Sequence, residues 1–357
     1  MADANIEKQQ IVIYGSYGYT GKIISETASK SSNNIVLSGR NGSKLKEQAS
    51  ELGLPFKAVN LDHPAELDNL LKNAAVVIHC AGPFHRTWKP MLDGCIRNGC
   101  HYLDITGEID VFEGIKSRNK EIEKAGIMAM PGVGFDVVPT DCMALYLKKK
   151  LPDAVHLELA FMGLGGGISH GTAQTMADNL GSGSVIREDG KIKKVPAAYK
   201  VKEIDFGEGT KTAASIPWGD VSTAHFTTGI PNITVYTAMK RSAVRMMKFS
   251  TIIGPILSLN AVKSLIKKWI SKNVNGPDNE SREKGTSVIW GRVENEKGET
   301  KEARLITQEG YKLTAETAWL IAQKVIAGNY YEGYQTPAAV YGEKLILEAG
   351  QSEFIAI

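Results

Sequence analysis

The chain has 357 residues, of which 43% are hydrophobic and 23% charged, a composition typical of a globular protein with about two domains. Its 42 Lys and Arg residues nearly balance its 39 Asp and Glu residues, so the net charge of +3 gives no electrostatic basis for binding nucleic acid. The four cysteines form no C-x-x-C pair and lack zinc-ligand spacing, so the sequence predicts no metal site.

The sequence predicts neither a secretory signal peptide nor a transmembrane helix. Residues 1–10 are polar and lack the apolar core of a signal peptide. The most apolar stretch, residues 251–266, is interrupted by Pro255, Asn260 and Lys263 and is too short to span a bilayer. We therefore expect a cytoplasmic protein.

Short apolar runs alternate with amphipathic stretches over the first 130 residues. The runs predict six strands, at Gln10–Tyr14, Ile35–Ser38, Phe56–Asn60, Ala75–Cys80, His101–Ile105 and Ile127–Met130. The stretches between them predict helices, and the fourth run is apolar almost throughout, which is typical of a central strand buried on both faces. This alternation predicts an α/β fold with a doubly wound parallel sheet.

The pattern changes after Pro131. One more helix is predicted, and four alternating runs then predict a mostly antiparallel sheet. These runs lie at 155–162, 230–239, 286–293 and 300–307. Helical spacing returns after Thr314. We therefore predict a first domain of residues 1–135, completed by C-terminal helices at 314–357, and an inserted α+β second domain of residues 136–313.

The first strand runs into a helix through a glycine-rich turn. Gly15 permits the tight bend, Gly18 lets the backbone approach a diphosphate, and Gly21 lets helix and strand pack closely. The N-terminus of the helix would present N–H groups to the phosphates. The cofactor-binding residues predicted in this turn are Gly15, Ser16, Tyr17, Gly18, Tyr19, Thr20 and Gly21.

The ends of the following strands complete the predicted cofactor site. The second strand ends in Arg40 and Asn41 where NAD-binding domains carry an acid. A guanidinium there would bind the 2′-phosphate of NADP, so both residues are assigned to the site and NADP is predicted over NAD. Asp62, after the third strand, is placed to accept a hydrogen bond from an adenine amine. The end of the fourth strand is predicted to line the nicotinamide, through Cys80, Ala81, Gly82 and Pro83.

Seven motifs distributed over nearly the whole chain carry a family resemblance. They are Gly-Ser-Tyr-Gly-Tyr-Thr-Gly at 15–21, Cys-Ala-Gly-Pro-Phe at 80–84, His-Tyr-Leu-Asp-Ile-Thr-Gly-Glu at 101–108, Pro-Gly-Val-Gly-Phe-Asp-Val-Val-Pro-Thr-Asp at 131–141, Ser-His-Gly-Thr-Ala at 169–173, Thr-Gly-Ile-Pro-Asn at 228–232 and Gly-Pro-Asp-Asn-Glu-Ser-Arg-Glu-Lys-Gly at 276–285. The chain resembles the saccharopine dehydrogenase-like oxidoreductases, within them most nearly the branch of the trans-acting enoyl reductases. The resemblance implies an NADP(H)-binding Rossmann domain, an inserted α+β domain and reduction of a polarised double bond.

Reduction of such a bond needs a proton source and groups that stabilise the developing charge. His85, after the fourth strand, and Asp136, at the start of the second domain, are predicted to be catalytic. Thr106, Glu108 and His170 are predicted to bind substrate, His170 from a glycine-rich loop that would close over it. Water is an alternative proton source.

Residues 241–272 interleave lysines and arginines with apolar side chains. This pattern fits either a helical hairpin that covers the second sheet or a peripheral contact with a membrane surface. Oligomer formation is left open.

The leading interpretation is an NADPH-dependent reductase that acts on a C=C bond of an enoyl or other lipid-like substrate. One alternative is a protein without catalytic activity, either an NADP(H)-binding sensor or a peripheral lipid-associated protein. Another is C=N reduction of the saccharopine type on an amino acid. Enzymes of that branch grip substrate carboxylates with arginines, and the motif loops of this chain hold no arginine cluster.

Overall fold

The computed structural model describes residues 9–357, except residues 33, 165–170, 172, 175–176, 178–180, 182, 208, 253, 255–258 and 274–275. The chain divides into two compact units. The first unit holds the residues up to Thr106 together with Asp110–Phe135 and Thr314–Gln335. The second holds Gly107–Ile109, Asp136–Leu313 and Thr336–Ile357.

Strands and helices are numbered in chain order. The strands are β1 (Gln10–Tyr14), β2 (Ile35–Gly39), β3 (Phe56–Ala58), β4 (Ala74–His79), β5 (His101–Asp104), β6 (Met128–Met130), β7 (His156–Leu164), β8 (Ser184–Glu188), β9 (Lys191–Val195), β10 (Val201–Asp205), β11 (Thr210–Ser215), β12 (Asn232–Ala238), β13 (Thr286–Glu294), β14 (Thr300–Gln308), β15 (Gly333–Tyr334) and β16 (Glu353–Ala356). The described helices are α1 (Tyr19–Ser29), α2 (Gly42–Leu52), α3 (Pro64–Leu71), α4 (Phe84–Asn98), α5 (Ile109–Ser117), α6 (Asn119–Lys124), α7 (Val138–Lys150), α8 (Asp220–Thr228), α9 (Arg241–Ile252), α10 (Asn260–Asn273), α11 (Asn279–Lys284), α12 (Gly310–Ile326), α13 (Pro337–Tyr341) and α14 (Leu345–Glu348).

The first unit is built on a parallel sheet in the order β3-β2-β1-β4-β5-β6-β15. This order confirms the α/β fold with a doubly wound parallel sheet. At its centre β1 pairs with β4, for instance Ile13 with Ile78, and every residue of β4 is buried. Because the winding reverses between β1 and β4, their carboxyl ends and that of β2 border the crevice where such sheets bind ligands.

Apolar side chains at helical spacing hold α3 and α4 together in this unit. Leu67 and Leu71 of α3 and Met91 and Cys95 of α4 are buried in one cluster. Gly94 of α4 lies where a Cβ would stand 2.9 Å from Leu67 Cδ2. A glycine there lets the two helices approach more closely than any other residue would.

The second unit is built on a mixed sheet in the order β10-β11-β12-β7-β13-β14-β16, with β8 between β12 and β9. Its only parallel pair among the described strands is β7 with β12, which confirms a mostly antiparallel second sheet. α7 packs on β13 at Gly291, where a Cβ would stand 2.7 Å from side-chain atoms of Met143 and Leu147. No helix in the described part of the chain is long and apolar enough to cross a membrane.

The C-terminal residues differ from the sequence-based expectation. Most of α12 and all of β15 lie in the first unit, but the chain from Thr336 lies in the second. The physical reason is the last strand: β16 hydrogen-bonds β14 in antiparallel register, from Ala303 with Ala356 to Ile306 with Glu353. Only residues 314–335 of the predicted C-terminal segment 314–357 therefore extend the first unit.

Candidate functional site

The glycine-rich turn between β1 and α1 requires its glycines. Gly15 has a φ of +82°, and a Cβ there would stand 2.8 Å from the backbone N of Ala81. A Cβ at Gly21 would overlap the carbonyl oxygen of Gly15. None of the described side chains caps α1 at Gly18, and its first turn holds no acid. The turn therefore fits a dinucleotide diphosphate, to which it offers close backbone approach and the positive end of a helix dipole.

Tyr17 connects this turn to the end of β2. Its ring lies against the α-carbon of Gly39, where a Cβ would stand 2.7 Å from Tyr17 Cε1. The backbone N of Asn41 donates to Tyr17 Oη over 3.2 Å, and the ammonium of Lys44 lies 5.8 Å from the ring centroid. Tyr17 thus places the turn and the end of β2 side by side, as the predicted cofactor site would require.

Two cations stand at the end of β2. Arg40 is exposed and makes no hydrogen bond or ion pair with any described residue. Lys44, in the first turn of α2, is a second cation that was not predicted, although a lysine three residues after a capping asparagine was a usable signal. The side chain of Asn41 serves as that cap, because its Oδ1 accepts from the backbone N of Lys44 over 3.0 Å. Asp62 is exposed after β3.

Gln48 of α2 stabilises the glycine-rich turn through a hydrogen bond. Its Nε2 donates over 2.9 Å to the carbonyl oxygen of Ser16, and both residues are buried. The Oγ of Ser16 has no hydrogen-bond partner among the described residues. Gln48 was missed because a buried glutamine in an amphipathic helix cannot be distinguished by pattern from an exposed one.

A buried histidine holds the loop after β4. The hydroxyl of Thr87 donates to Ala81 O over 2.7 Å, so it must accept from His79 Nε2, which lies 3.0 Å away. This fixes the proton of His79 on Nε2 and leaves Nδ1 without a partner in the described chain. Burial lowers the pKa of His79 to about 3, so the ring is neutral at physiological pH. Through Thr87, His79 orients the backbone at Ala81, one of the predicted nicotinamide contacts.

The other predicted residues near β4 occupy different environments. The backbone N of Cys80 donates to Tyr14 O over 2.7 Å, and burial raises the pKa of the Cys80 thiol, so it is no nucleophile. Gly82 is exposed and Pro83 directly precedes α4. His85 is exposed in the first turn of α4, where its Nε2 accepts from Arg86 Nε over 3.3 Å.

Asp104 at the end of β5 connects two loops through hydrogen bonds to its carboxylate. Its Oδ1 accepts from the backbone N atoms of Thr106 and Gly132, over 3.0 and 2.9 Å, and its Oδ2 accepts from the hydroxyl of Tyr102 over 2.6 Å. The loops after β5 and β6 are thereby tied together. Thr106, whose backbone N donates to Asp104, is itself fully buried.

Asp136 and the segment after Thr106 meet in the second unit. Oδ2 of Asp136 packs on the α-carbon of Gly107, the residue before Glu108, and Trp218 Nε1 donates to Asp136 O over 2.9 Å. Burial raises the pKa of Asp136 to about 7. The structure therefore places a carboxyl group whose pKa is about 7 against Gly107, the residue that precedes Glu108.

Two further aspartates are buried in the second unit. Asp141 accepts from Thr227 Oγ1 over 2.5 Å and from the backbone N of Ala338 over 2.8 Å, and burial raises its pKa to about 7 despite these donors. Asp220 is fully buried, and neither carboxyl oxygen has a hydrogen bond of standard geometry in the described chain, although the nearby hydroxyl of Thr140 favours its charged form. Burial, and then the charges of Asp141 and Asp136, raise the pKa of Asp220 well above its ordinary value. Asp220 was not anticipated, because nothing in its sequence neighbourhood marks it as buried.

The remaining predictions concern His170 and metal. His170 lies outside the described residues. The described chain contains no group of three or more His, Cys, Asp or Glu side chains that could hold a metal ion.

Comparison with known proteins supports the prediction that the first domain binds NADP. Residues 11–130 match the family model of the saccharopine dehydrogenase NADP-binding domain. A saccharopine dehydrogenase-like oxidoreductase of Rattus norvegicus is 28% identical over 223 residues, covering 55% of this chain and 50% of that protein. A Mycobacterium tuberculosis protein, provisionally named a trans-acting enoyl reductase, is 24% identical over 401 residues, or 94% of each chain. The chain spans about half the length of the saccharopine dehydrogenase-like relatives it matches.

Among solved structures, apo saccharopine dehydrogenase (L-Glu forming) of Saccharomyces cerevisiae shares the fold, with a TM-score of 0.70 at 13% identity over 98% of this chain and 100% of that one. The fold and the turn define a Rossmann-type dinucleotide-binding domain. The resemblance to the saccharopine dehydrogenase-like oxidoreductases is confirmed. The match of residues 11–130 to the model of an NADP-binding domain confirms the predicted cofactor.

Proposed function

We propose that the protein is an NADPH-dependent reductase that transfers hydride to a polarised C=C bond of an enoyl or other lipid-like substrate. The observation that carries the cofactor assignment is the end of β2, where exposed Arg40 and neighbouring Lys44 stand and no acid would repel a 2′-phosphate. Gly15–Gly21 would hold the diphosphate, Asp62 the adenine, and Cys80–Pro83 the nicotinamide side.

The chemistry divides between the cofactor and the chain. When bound, NADPH supplies the hydride. Asp136 holds a proton near neutral pH, since its pKa is about 7, and is the proposed donor to the carbon that does not receive the hydride. His85, exposed at the start of α4, is the second proposed donor, with water as the alternative. Thr106, Glu108 and His170 are proposed to contact substrate.

The similarity to a trans-acting enoyl reductase and the lack of an arginine cluster in the motif loops both support an enoyl substrate over an amino acid. The cytoplasm stays the proposed compartment. The decisive experiment is single-turnover oxidation of NADPH against enoyl, imine and keto compounds, followed by the loss of NADPH absorbance. Turnover on enoyl compounds is expected. Turnover on imines alone would favour saccharopine-type chemistry, and tight NADPH binding without turnover on any class would favour a sensor.

Charge reversal tests the cofactor assignment separately. Arg40→Glu should weaken NADPH binding by about tenfold or more in calorimetry and leave NADH binding nearly unchanged. Lys46→Glu makes the same charge change at an exposed position of the neighbouring helix α2 and should have little effect. No heat with either reduced coenzyme, or NADH bound more tightly than NADPH by the wild type, would overturn the assignment.

A further inference from the structure

The charges of the chain are unevenly distributed along its length. Residues 221–277 contain no Asp or Glu, whereas they hold eight cations: Lys240, Arg241, Arg245, Lys248, Lys263, Lys267, Lys268 and Lys272. The rest of the chain therefore carries 34 Lys and Arg against all 39 acids, a net charge of −5. This segment is the longest stretch of the chain without an acidic residue, and it contains α9 and α10.

α9 has both an inner and an outer apolar side. On the inner side, buried Val244 and half-buried Met247 pack with Ala198 and Ala214. On the outer side, 73% of Met246 and 58% of Phe249 are exposed, one helical turn apart. Exposed Arg245 and Lys248 stand beside them. Packing of the unit is thus satisfied without Met246 and Phe249.

α10 repeats this arrangement. Ile270 and Ile266 pack inward with Ala173 and Ala177. Leu265 and Trp269, four residues apart and therefore on one face, are 68% and 62% exposed, with exposed Lys268 next to Trp269. Exposed tryptophan flanked by lysines is typical of protein surfaces that lie at the boundary between lipid headgroups and acyl chains.

We propose that these outward stripes bind the surface of an anionic phospholipid bilayer. The two stripes consist of Arg245, Met246, Lys248 and Phe249 on α9 and Leu265, Lys268 and Trp269 on α10. Large apolar side chains exposed to this extent lose unfavourable contact with water when they enter the interfacial region. The segment has no carboxylate that anionic headgroups would repel, and its cations complement their charge. This proposal goes beyond the proposed reductase activity and does not depend on it.

Co-sedimentation of the full chain with vesicles tests the proposal. One set contains about two parts phosphatidylcholine to one part phosphatidylserine, and the other phosphatidylcholine alone. We expect binding to the anionic vesicles, weakened when salt is raised from about 0.1 M to about 0.5 M, and little binding to the neutral ones. The double variants Met246→Ser with Phe249→Ser, and Leu265→Ser with Trp269→Ser, should each bind about tenfold more weakly.

Matched variants keep the outcome interpretable. Tyr331→Ser with Leu347→Ser replaces two other exposed apolar side chains, at 63% and 43% exposure, and should bind vesicles like the wild type. Unchanged thermal unfolding and NADPH affinity in the α9 and α10 variants would show that they remain folded, so a loss of vesicle binding then reports on the surface. Absence of vesicle binding by the wild type, or binding that neither stripe variant weakens, would overturn the proposal whatever the outcome for the reductase.

Discussion

The carboxyl group of Asp136 lies directly against the α-carbon of Gly107. A Cβ at that glycine would stand 2.7 Å from Oδ2 and 3.2 Å from Cγ of Asp136. The carboxyl group of the proposed proton donor can take this position only because residue 107 is a glycine. Gly107 belongs to the short segment Gly107–Ile109 that leads into α5.

Gly107→Ala should displace the Asp136 carboxyl group and reduce kcat/KM by about ten- to a hundredfold, since misplacement of a catalytic group by about 1 Å has effects of this size. Steady-state kinetics with an enoyl substrate would measure it. Gly163→Ala is the control, because no described residue would lie within 4 Å of a Cβ at Gly163, so a methyl group there should change neither activity nor stability appreciably. Equal losses in the two variants would contradict a positioning role for Gly107.

Asp220 and Asp141 should respond in opposite ways to replacement by asparagine. The pKa of Asp220 is raised in the folded state, so the folded chain retains a proton that the unfolded chain releases. Its favourable contribution is present below the pKa of the unfolded chain and is lost as pH rises through the folded pKa. Asp220→Asn should therefore be more stable than the wild type at pH 9, by about 1 kcal/mol or more, because it avoids a fully buried charge.

Asp141→Asn is the matched comparison. Both carboxyl oxygens of Asp141 accept hydrogen bonds, and an amide would turn an N–H group toward one of the two donors, Thr227 and the backbone N of Ala338. This variant should lose about 1–3 kcal/mol at neutral pH. Urea unfolding between pH 5 and pH 9 would measure both variants, and stabilisation of Asp141→Asn at neutral pH would contradict the hydrogen-bond arrangement.

His79 should make the fold sensitive to acid. Its pKa falls from 6.5 to about 3 on folding, so the unfolded chain binds a proton that the folded chain excludes. Its contribution is fully present above pH 6.5 and is lost as pH falls toward 3. Relative to pH 7, the wild type should lose about 3 kcal/mol more than His79→Leu at pH 4. His156→Leu, at an exposed histidine whose side chain has no ion pair among the described residues, should follow the wild type in urea unfolding at both pH values.

Gln48→Leu should remove the hydrogen bond that supports Ser16 and loosen the glycine-rich turn. One hydrogen bond contributes about 1 kcal/mol, so we expect the Kd for NADPH to rise about three- to tenfold in calorimetry. Glu47→Leu, at the preceding exposed position, should leave the Kd unchanged. An unchanged Kd in Gln48→Leu would mean that the turn does not need this support.

The first sheet was predictable because its strands carry strong local signals. The fully buried run of β4 and the glycine-rich turn after β1 are each readable from composition and spacing alone. β15 and β16 were not, since two and four residues of ordinary sequence become strands only through their partners, β6 and β14. Local pattern cannot specify a pairing made late in the chain.

The candidate site divides in the same way. Residues whose role depends on backbone conformation or charge, such as Gly15 and Arg40, could be proposed from position. Those that act through packing could not: Gln48, His79 and Asp220 matter because each is buried, and burial arises only in the folded chain. Asn41 was predicted to bind the cofactor, and in the structure its side chain caps α2. Asparagine is favoured at the start of any helix, so the sequence alone could not distinguish the two roles.

The position of β15 bears on how the protein is made. The last strand of the first sheet is supplied by Gly333 and Tyr334, after the main segment of the second unit has been synthesised. A nascent chain that ends before this point leaves β6 as an open edge with unpaired backbone groups, a template for unwanted association. The second sheet is also incomplete at that point, because β16, which pairs with β14, follows β15 in the chain. A translation stall before Gly333 would therefore leave an open edge on both sheets.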